Sequence, residues 1–282
     1  DRKMAEIELN KLLEELEQRV VDRTKELQQK NKEIIDSIVY SKRLQVALLP
    51  KHTSLSELFR NSFIYSKPRD IVSGDFFWSH KSRNKIFIVV ADCTGHGVPG
   101  ALMSIIGNNL LNKIIINQRI ENPAEILELL DRNLEEAVQS INAVVNDGMD
   151  IGLCVVDTYF NEIYFSGAYR PLFYTDKDGI INELAANPFP IGGGRQFQEK
   201  KFETQRFNTF QGQRIYLSTD GYYSQFGGPR DKKFMKSKFR ETLNEIQSQS
   251  MLEQKITITR TFNDWKADAE QIDDIMVVGF EI

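Results

Sequence analysis

Residues 1–49 contain neither glycine nor proline and are dense in Glu, Lys, Leu and Gln. Leu13, Val20, Leu27 and Ile34 recur every seven residues, and Leu9 and Leu16 supply a second apolar position. Arg23, Lys30 and Ser37 then occupy that second position. A seven-residue apolar period predicts a left-handed coiled coil, sound at its start and more polar toward its C-terminal end. The expectation is a homodimer through this helix; the plainer reading is a solvated linker. Pro50 is expected to end the helix, because proline lacks an N–H and clashes with the preceding turn. The chain therefore divides into a helical linker, 1–50, and a second domain, 51–282.

From about residue 60 the period changes. The run Ile86–Ala91 is continuously apolar and predicts a buried strand. Val98-Pro99-Gly100-Ala101 opens a helix with proline in its first turn, and Asn122 is placed to cap a second helix from Pro123. Ile151–Val156, Ile163–Ser166 and Leu172–Thr175 read as successive strands, and Asp178-Gly179 signals a hairpin turn. Arg214–Ser218 is a further strand. Helices follow near Lys236–Gln247 and Leu252–Ala267, then a last strand, Ile275–Ile282. Strands and helices are grouped rather than strictly alternating, which favours antiparallel sheets covered by helices, an α+β class, over a doubly wound parallel sheet.

Composition narrows the functional classes. The chain has 282 residues, 41% hydrophobic, with a formal charge of −4, which suits a globular protein with a substantial core and leaves no basic footprint for nucleic acid. Cys93 and Cys154 lie in apolar runs and read as buried, reduced thiols of a cytosolic compartment. No apolar run approaches the ~20 residues needed to cross a bilayer. The chain opens within a helical pattern, so the expectation is a fragment whose upstream part, a sensor, lies elsewhere.

Four short acidic motifs carry the chemistry: Ser73-Gly74-Asp75-Phe76-Phe77, Ala91-Asp92-Cys93-Thr94-Gly95-His96-Gly97, Ser218-Thr219-Asp220-Gly221 and Ile272-Asp273-Asp274-Ile275. Each sets an aspartate at the edge of an apolar run. Hard divalent cations take such oxygen ligands, and two cations held by aspartates and waters can activate water for phosphoryl hydrolysis. Singly, each motif has a plain alternative: a helix cap for Asp220, a turn for Asp75, a solvated loop for Asp273 and Asp274. His52, His80, His96 and the two cysteines form no zinc-like spacing. His96 reads equally as a general acid or proton relay and as a turn histidine. Trp78 and Trp265 read as core. Gly192-Gly193-Gly194 lacks the Lys-Ser/Thr ending of a phosphate loop and reads as a flexible turn. Phe226–Lys233 reads as a mobile basic loop, with Arg230, Lys232 and Lys233 as candidate contacts for a phosphorylated partner.

At these residues the chain resembles the protein phosphatase 2C (PPM) superfamily, in its bacterial SpoIIE/RsbU-like branch. The matching pieces are Val72–Trp78, Ala91–Ala101, Gly148-Met149-Asp150-Ile151, Pro190–Gly193, Ser218–Gly221 and Gln271–Ile275, in the family's order over about residues 60–282. The resemblance implies an αββα sandwich: two antiparallel sheets flanked by helix pairs, here preceded by the long coiled-coil helix. It implies two Mn²⁺ or Mg²⁺ ions at one edge, with Asp92 bridging both and the Cys93 carbonyl completing one shell. Asp75 would serve the second ion, and Asp220 and Asp273 the first, with Asp274 beside them. Asp92 and Asp220 would act through a metal-activated water attacking phosphoserine or phosphothreonine.

Members of this branch typically dephosphorylate anti-sigma factor antagonists, small STAS-type proteins, and often sit downstream of a sensor through a helical linker. The implied setting is cytoplasmic, as part of a larger membrane-linked sensor protein. Thr94 stands where eukaryotic relatives carry a histidine, and Met276 where the branch often has threonine, a change expected to affect strand packing. Lys67 and Arg69 are the nearby candidates for a phosphate-binding cation. Two other readings remain: a catalytically weak signalling or scaffold module on the same fold, and a phosphodiesterase, which would ordinarily recruit several histidines.

Overall fold

The central apolar run owes its continuity to two destinations. In the strand Lys85–Cys93, Phe87, Val89 and Ala91 enter one core while Ile86, Ile88 and Val90 enter another. Side chains alternate faces along a strand, so apolar residues are needed at every position only where both faces are covered.

The computed structural model describes residues 2–51, 53–139, 147–193 and 200–282; His52 and Gly194 lie outside them. In chain order the elements are α1 (Arg2–Leu48), α2 (Thr53–Leu58), β1 (Ser62–Lys67), β2 (Phe76–Ser82), β3 (Lys85–Cys93), α3 (Gly97–Leu111), α4 (Pro123–Gln139), β4 (Gly148–Asp157) and β5 (Glu162–Ala168). Then follow β6 (Leu172–Thr175), β7 (Ile181–Leu184), β8 (Ile191–Gly192), β9 (Gln205–Asn208), β10 (Arg214–Ser218), α5 (Gly221–Ser224), β11 (Phe226–Gly227), β12 (Lys232–Lys233), α6 (Lys236–Glu245), α7 (Met251–Lys266) and β13 (Ile275–Glu281).

The chain forms two units, Asp1–Arg43 and Leu44–Ile282. The first is a single helical stretch, braced by ion pairs from Glu26 to Arg23 and Lys30, whose heptad positions Leu13, Val20, Leu27 and Ile34 are exposed. No helix among the described residues is long and apolar enough to cross a membrane.

The second unit has four layers. One sheet runs β1-β13-β10-β6-β7 and the other β2-β3-β4-β5-β9, with β8 beside β4, and every pairing is antiparallel. Leu217, Val278, Ile88 and Cys154 pack between the sheets. Helices α3 and α4 cover the outer face of the second sheet through Met103, Leu111, Leu127 and Leu130. Helices α6 and α7 cover the first through Phe239, Leu243, Ile258 and Phe262. This is the expected αββα sandwich.

Local rules explain the boundaries. Asn122 Oδ1 accepts from the N–H groups of Ala124 and Glu125 at 3.0 and 3.2 Å, capping α4. A capping box of Ser250 and Glu253 starts α7. Gly179 takes φ +78° in the hairpin between β6 and β7, a region costly for other residues.

Two expectations need correction. Phe226–Lys233 is not a mobile loop. β11 and β12 pair as a ribbon, and Gly228 N–H donates to the Trp265 carbonyl at 2.8 Å. Gly192 is not part of a flexible turn either, because it pairs with Gly148 as β8 joins β4 and its N–H donates to Asp131 Oδ1 at 2.7 Å.

Candidate active site

Register brings the acidic motifs together. Ala91 pairs with Phe76 and Asp92 with Asp150, so Asp75, Asp92 and Asp150 share one edge of the second sheet. In the first sheet Ser218 pairs with Val277, which sets Asp220 beside the Asp273-Asp274 end of β13. The two edges meet where Thr219 Oγ1 donates to Asp75 Oδ2 at 2.6 Å. An open cleft of about 310 Å³ lies there, lined by Asp92, Cys93, Asp150, Arg170, Asp220 and Asp273 among others.

The turns are built for close approach. A Cβ on Gly100 would lie 2.3 Å from the Gly95 carbonyl oxygen, and one on Gly221 would lie 1.9 Å from the Asp274 carbonyl oxygen. Asp274 is buried, and its carboxylate accepts from Arg69 N–H and Gly74 N–H, both at 2.7 Å. It therefore fixes the turn that presents Asp75 rather than facing the cleft. Gln45 supports the same turn, donating from Nε2 to the Ser73 carbonyl at 2.6 Å and to Ser104 Oγ at 2.9 Å. Asp220 precedes α5 without a side-chain capping bond to its N–H groups, and its Oδ2 accepts from Ser224 Oγ at 3.3 Å.

Arg170, on the crossing from β5 to β6, reaches into the carboxylates. Nη2 lies 2.5 Å from Asp150 Oδ2 and 3.2 Å from Asp92 Oδ2, while Nη1 lies 3.4 Å from Asp220 Oδ1 and 3.3 Å from Tyr223 Oη. Burial opposes the guanidinium charge, but Asp92, Tyr223, Asp220 and Asp150 outweigh it and hold its pKa above the ordinary value. Burial raises the Asp92 carboxyl well above the usual range, reinforced by repulsion from Asp75 and Asp220. Asp75 is likewise raised by burial, against the Thr219 hydrogen bond, with Asp274 and Asp273 adding repulsion. Burial also raises Asp150 and Asp273. The buried Cys93 thiol is pushed up by desolvation and then by Asp92, which disfavours a thiolate here.

Of the other expected residues, Thr94 and His96 also line the cleft and the rest do not. Thr94 is structural: its N–H donates to the Gly148 carbonyl and its Oγ1 accepts from Gly148 N–H. His96 lies on the rim with Nδ1 2.8 Å from Asp70 Oδ2. Lys67 donates to Asn263 Oδ1, and Arg69 donates through Nη1 to the Ile272 carbonyl; neither lines the cleft. Arg230, Lys232 and Lys233 sit on the β11–β12 ribbon, exposed. Gln225, next to that ribbon, accepts from Ile272 N–H at 3.3 Å.

Three residues escaped the sequence reading. Asp150 belongs to a matching motif without a role of its own, and its signal is an acid heading an apolar strand. Arg170 and Tyr223 depend on tertiary placement.

The donor set suits hard divalent cations. Five carboxylates, from Asp75, Asp92, Asp150, Asp220 and Asp273, crowd together with a single guanidinium, and burial with mutual repulsion raises the pKa of four of them. Among the described residues no three His, Cys, Asp or Glu side chains are spaced to hold an ion as they stand. Arg170 lies between those it bridges.

A four-layer sandwich with an acidic cleft at the meeting edges of its sheets defines a phosphatase domain of the PP2C type. The chain belongs to the Stage II sporulation protein E (SpoIIE) family, whose model matches residues 82–282. The SiaA PP2C domain of Pseudomonas aeruginosa is similar at 32% identity and TM-score 0.80, over 90% of this chain and 98% of that one. The phosphoserine phosphatase RsbU of Bacillus subtilis (strain 168) is 26% identical over 168 residues, 55% of this chain and 44% of RsbU, so the match spans less than half of RsbU. The fold is shared with RsbX in complex with magnesium, at 13% identity and TM-score 0.52, over 77% of this chain and 92% of that one.

Proposed function

We propose that the second unit is a metal-dependent protein phosphatase that hydrolyses phosphoserine or phosphothreonine on a partner protein. The observation that carries the reading is the convergence of Asp92, Asp150, Asp220 and Asp273 from both sheets on one open cleft, with Asp75 buried behind it on Thr219. Asp75, Asp92, Asp220, Asp273 and the Cys93 carbonyl would hold the Mn²⁺ or Mg²⁺ ions, two being expected. Such ions supply Lewis acidity that activates water and offsets phosphate charge. Magnesium in the related fold of RsbX supports the choice of metal.

The protein's own contribution is positioning. Thr219 orients Asp75, and Asp274 and Gln45 hold the turn before it. The cleft is open enough to admit a phosphorylated side chain standing on a protein surface. Arg230, Lys232 and Lys233 would contact the phosphorylated partner; their exposure on the β11–β12 ribbon, tied by Gln225 to Ile272 beside the cleft, supports this.

The proposed substrate is a STAS-type anti-sigma factor antagonist, supported by the resemblance to the SpoIIE/RsbU-like branch. The exposed heptad positions of α1 support a homodimer through that helix. Because Gln45, in the last turn of α1, grips Ser73, that helix is a candidate route for regulation by an upstream sensor, within a cytoplasmic part of a larger protein.

The test is hydrolysis of p-nitrophenyl phosphate and of phosphorylated STAS-domain proteins with and without Mn²⁺. Asp92→Asn and Asp220→Asn should abolish the Mn²⁺-dependent rate; unchanged rates in both would sink the assignment. A mass measurement on residues 44–282 alone should give a monomer, and a dimer there would refute pairing through α1.

A further inference from the structure

The position of Arg170 has a consequence for cation uptake. Its Nη2 is within 3.2 Å of carboxylate oxygens of both Asp92 and Asp150, and its Nη1 is 3.4 Å from Asp220. Small divalent cations need carboxylate oxygens at about 2.0–2.2 Å. A guanidinium bridging those oxygens and a cation bound to them would claim the same lone pairs. Five carboxylates gather here, those of Asp75, Asp92, Asp150, Asp220 and Asp273, and Arg170 pairs with three of them, Asp92, Asp150 and Asp220.

The backbone beneath this arginine is pinned. Tyr169 holds φ +56°, Arg170 N–H donates to the Ala168 carbonyl at 2.7 Å, and a Cβ on Gly167 would lie 2.4 Å from the Arg170 carbonyl oxygen. Movement is thus left to the side chain. Its Nε is buried and has no hydrogen-bond partner among the described residues. Withdrawing the guanidinium therefore breaks no bond at Nε, and offers that atom the partner or water it lacks.

We infer that Arg170 is an internal counter-ion that competes with divalent cations for Asp92, Asp150 and Asp220, and that cation uptake drives its guanidinium out of the cluster. Arg170 holds the acidic edge together when cations are scarce and weakens their affinity when they arrive. The metal concentration at which the cleft loads is then set by this arginine as much as by the carboxylates. The inference rests on the functional reading above.

Titration calorimetry with MnCl₂ on wild type and Arg170→Gln tests it, together with melting curves in EDTA. The expected result is at least a tenfold lower Kd in the variant, with a lower melting temperature in EDTA. Equal or weaker affinity would overturn the inference. If Arg170→Gln does not fold, the wild-type protein suffices. The Arg170 Nε–H resonance, followed by NMR during MgCl₂ titration, should shift as the cleft loads; a resonance unmoved at saturation overturns the inference while leaving the phosphatase reading intact. Wild type that takes up neither Mn²⁺ nor Mg²⁺ by either method overturns both.

Discussion

Replacing Asp75 by Asn should stabilise the cation-free protein while disabling it. Asp75 is buried, and its pKa is raised by burial and by Asp274 and Asp273. Asparagine has nearly the same volume, and its Oδ1 can still accept from Thr219 Oγ1. The substitution therefore removes a charge and little else. Two like charges 7 Å apart at an effective dielectric of about 20 repel by roughly 2.4 kcal/mol. Asp92, Asp273 and Asp274 repel Asp75, and Arg170 attracts it. Allowing for partial protonation, a net relief of about 2 kcal/mol is reasonable. For a domain of this size that is roughly 4–8 °C in melting temperature.

The pH dependence has a defined sign. A carboxyl whose native pKa is raised stabilises the fold only while protonated, so that contribution disappears as pH rises. The variant's advantage should thus be absent below the ordinary aspartate value of about 3.9, open above it, and level off once pH passes the raised native pKa. Adding Mn²⁺ should reverse the order, because wild type gains binding energy that the variant largely loses. Differential scanning calorimetry in EDTA from pH 3 to 8, and in Mn²⁺ from pH 5 to 8, measures all of this. A variant that melts below wild type in EDTA at pH 8 would refute the reasoning, since it would mean that the charge of Asp75 is compensated within the protein itself.

Asp274→Ala removes two charge-assisted bonds to Arg69 and Gly74 N–H groups, and should lower stability by about 3 kcal/mol as well as the Mn²⁺-dependent rate; an unchanged melting curve would contradict the clamp. Gly221→Ala forces a Cβ to 1.9 Å from the Asp274 carbonyl oxygen and should largely prevent soluble expression. Gly179→Ala has φ +78° but open space, so it should fold and lose only about 1 kcal/mol in a denaturant titration. Ser250→Ala breaks the capping box of α7, lowering stability by about 1 kcal/mol with kcat unaltered in a steady-state assay.

Much of this architecture is legible because it rests on local rules. The run Ile86–Ala91 announces a strand covered on both faces, Asn122 a cap and Asp178-Gly179 a turn, and all three are found. Two of the four aspartate motifs precede strands, β2 and β13, and two close them, β3 and β10, and register brings these ends side by side. α7 starts at Met251, one residue ahead of the expected Leu252, because Ser250 and Glu253 form a capping box that the expectation lacked. What escapes is what depends on partners distant in the chain. Asp150 acquires meaning only from its pairing with Asp92. Arg170 matters because the chain crosses between sheets at that point. The β11–β12 ribbon has two-residue strands, too short to show alternation, and Gly228 folds it against Trp265.

The placement of β13 bears on how the protein is made. It is the last strand of the chain, yet it lies inside its sheet between β1 and β10, and Asp273 and Asp274 immediately precede it. During synthesis the first sheet cannot close, nor the two acidic edges meet, until β13 has left the ribosome. Asp75, Asp92 and Asp150 can gather on the second sheet beforehand, but a chain cut ahead of β13 should lack the assembled acidic cleft.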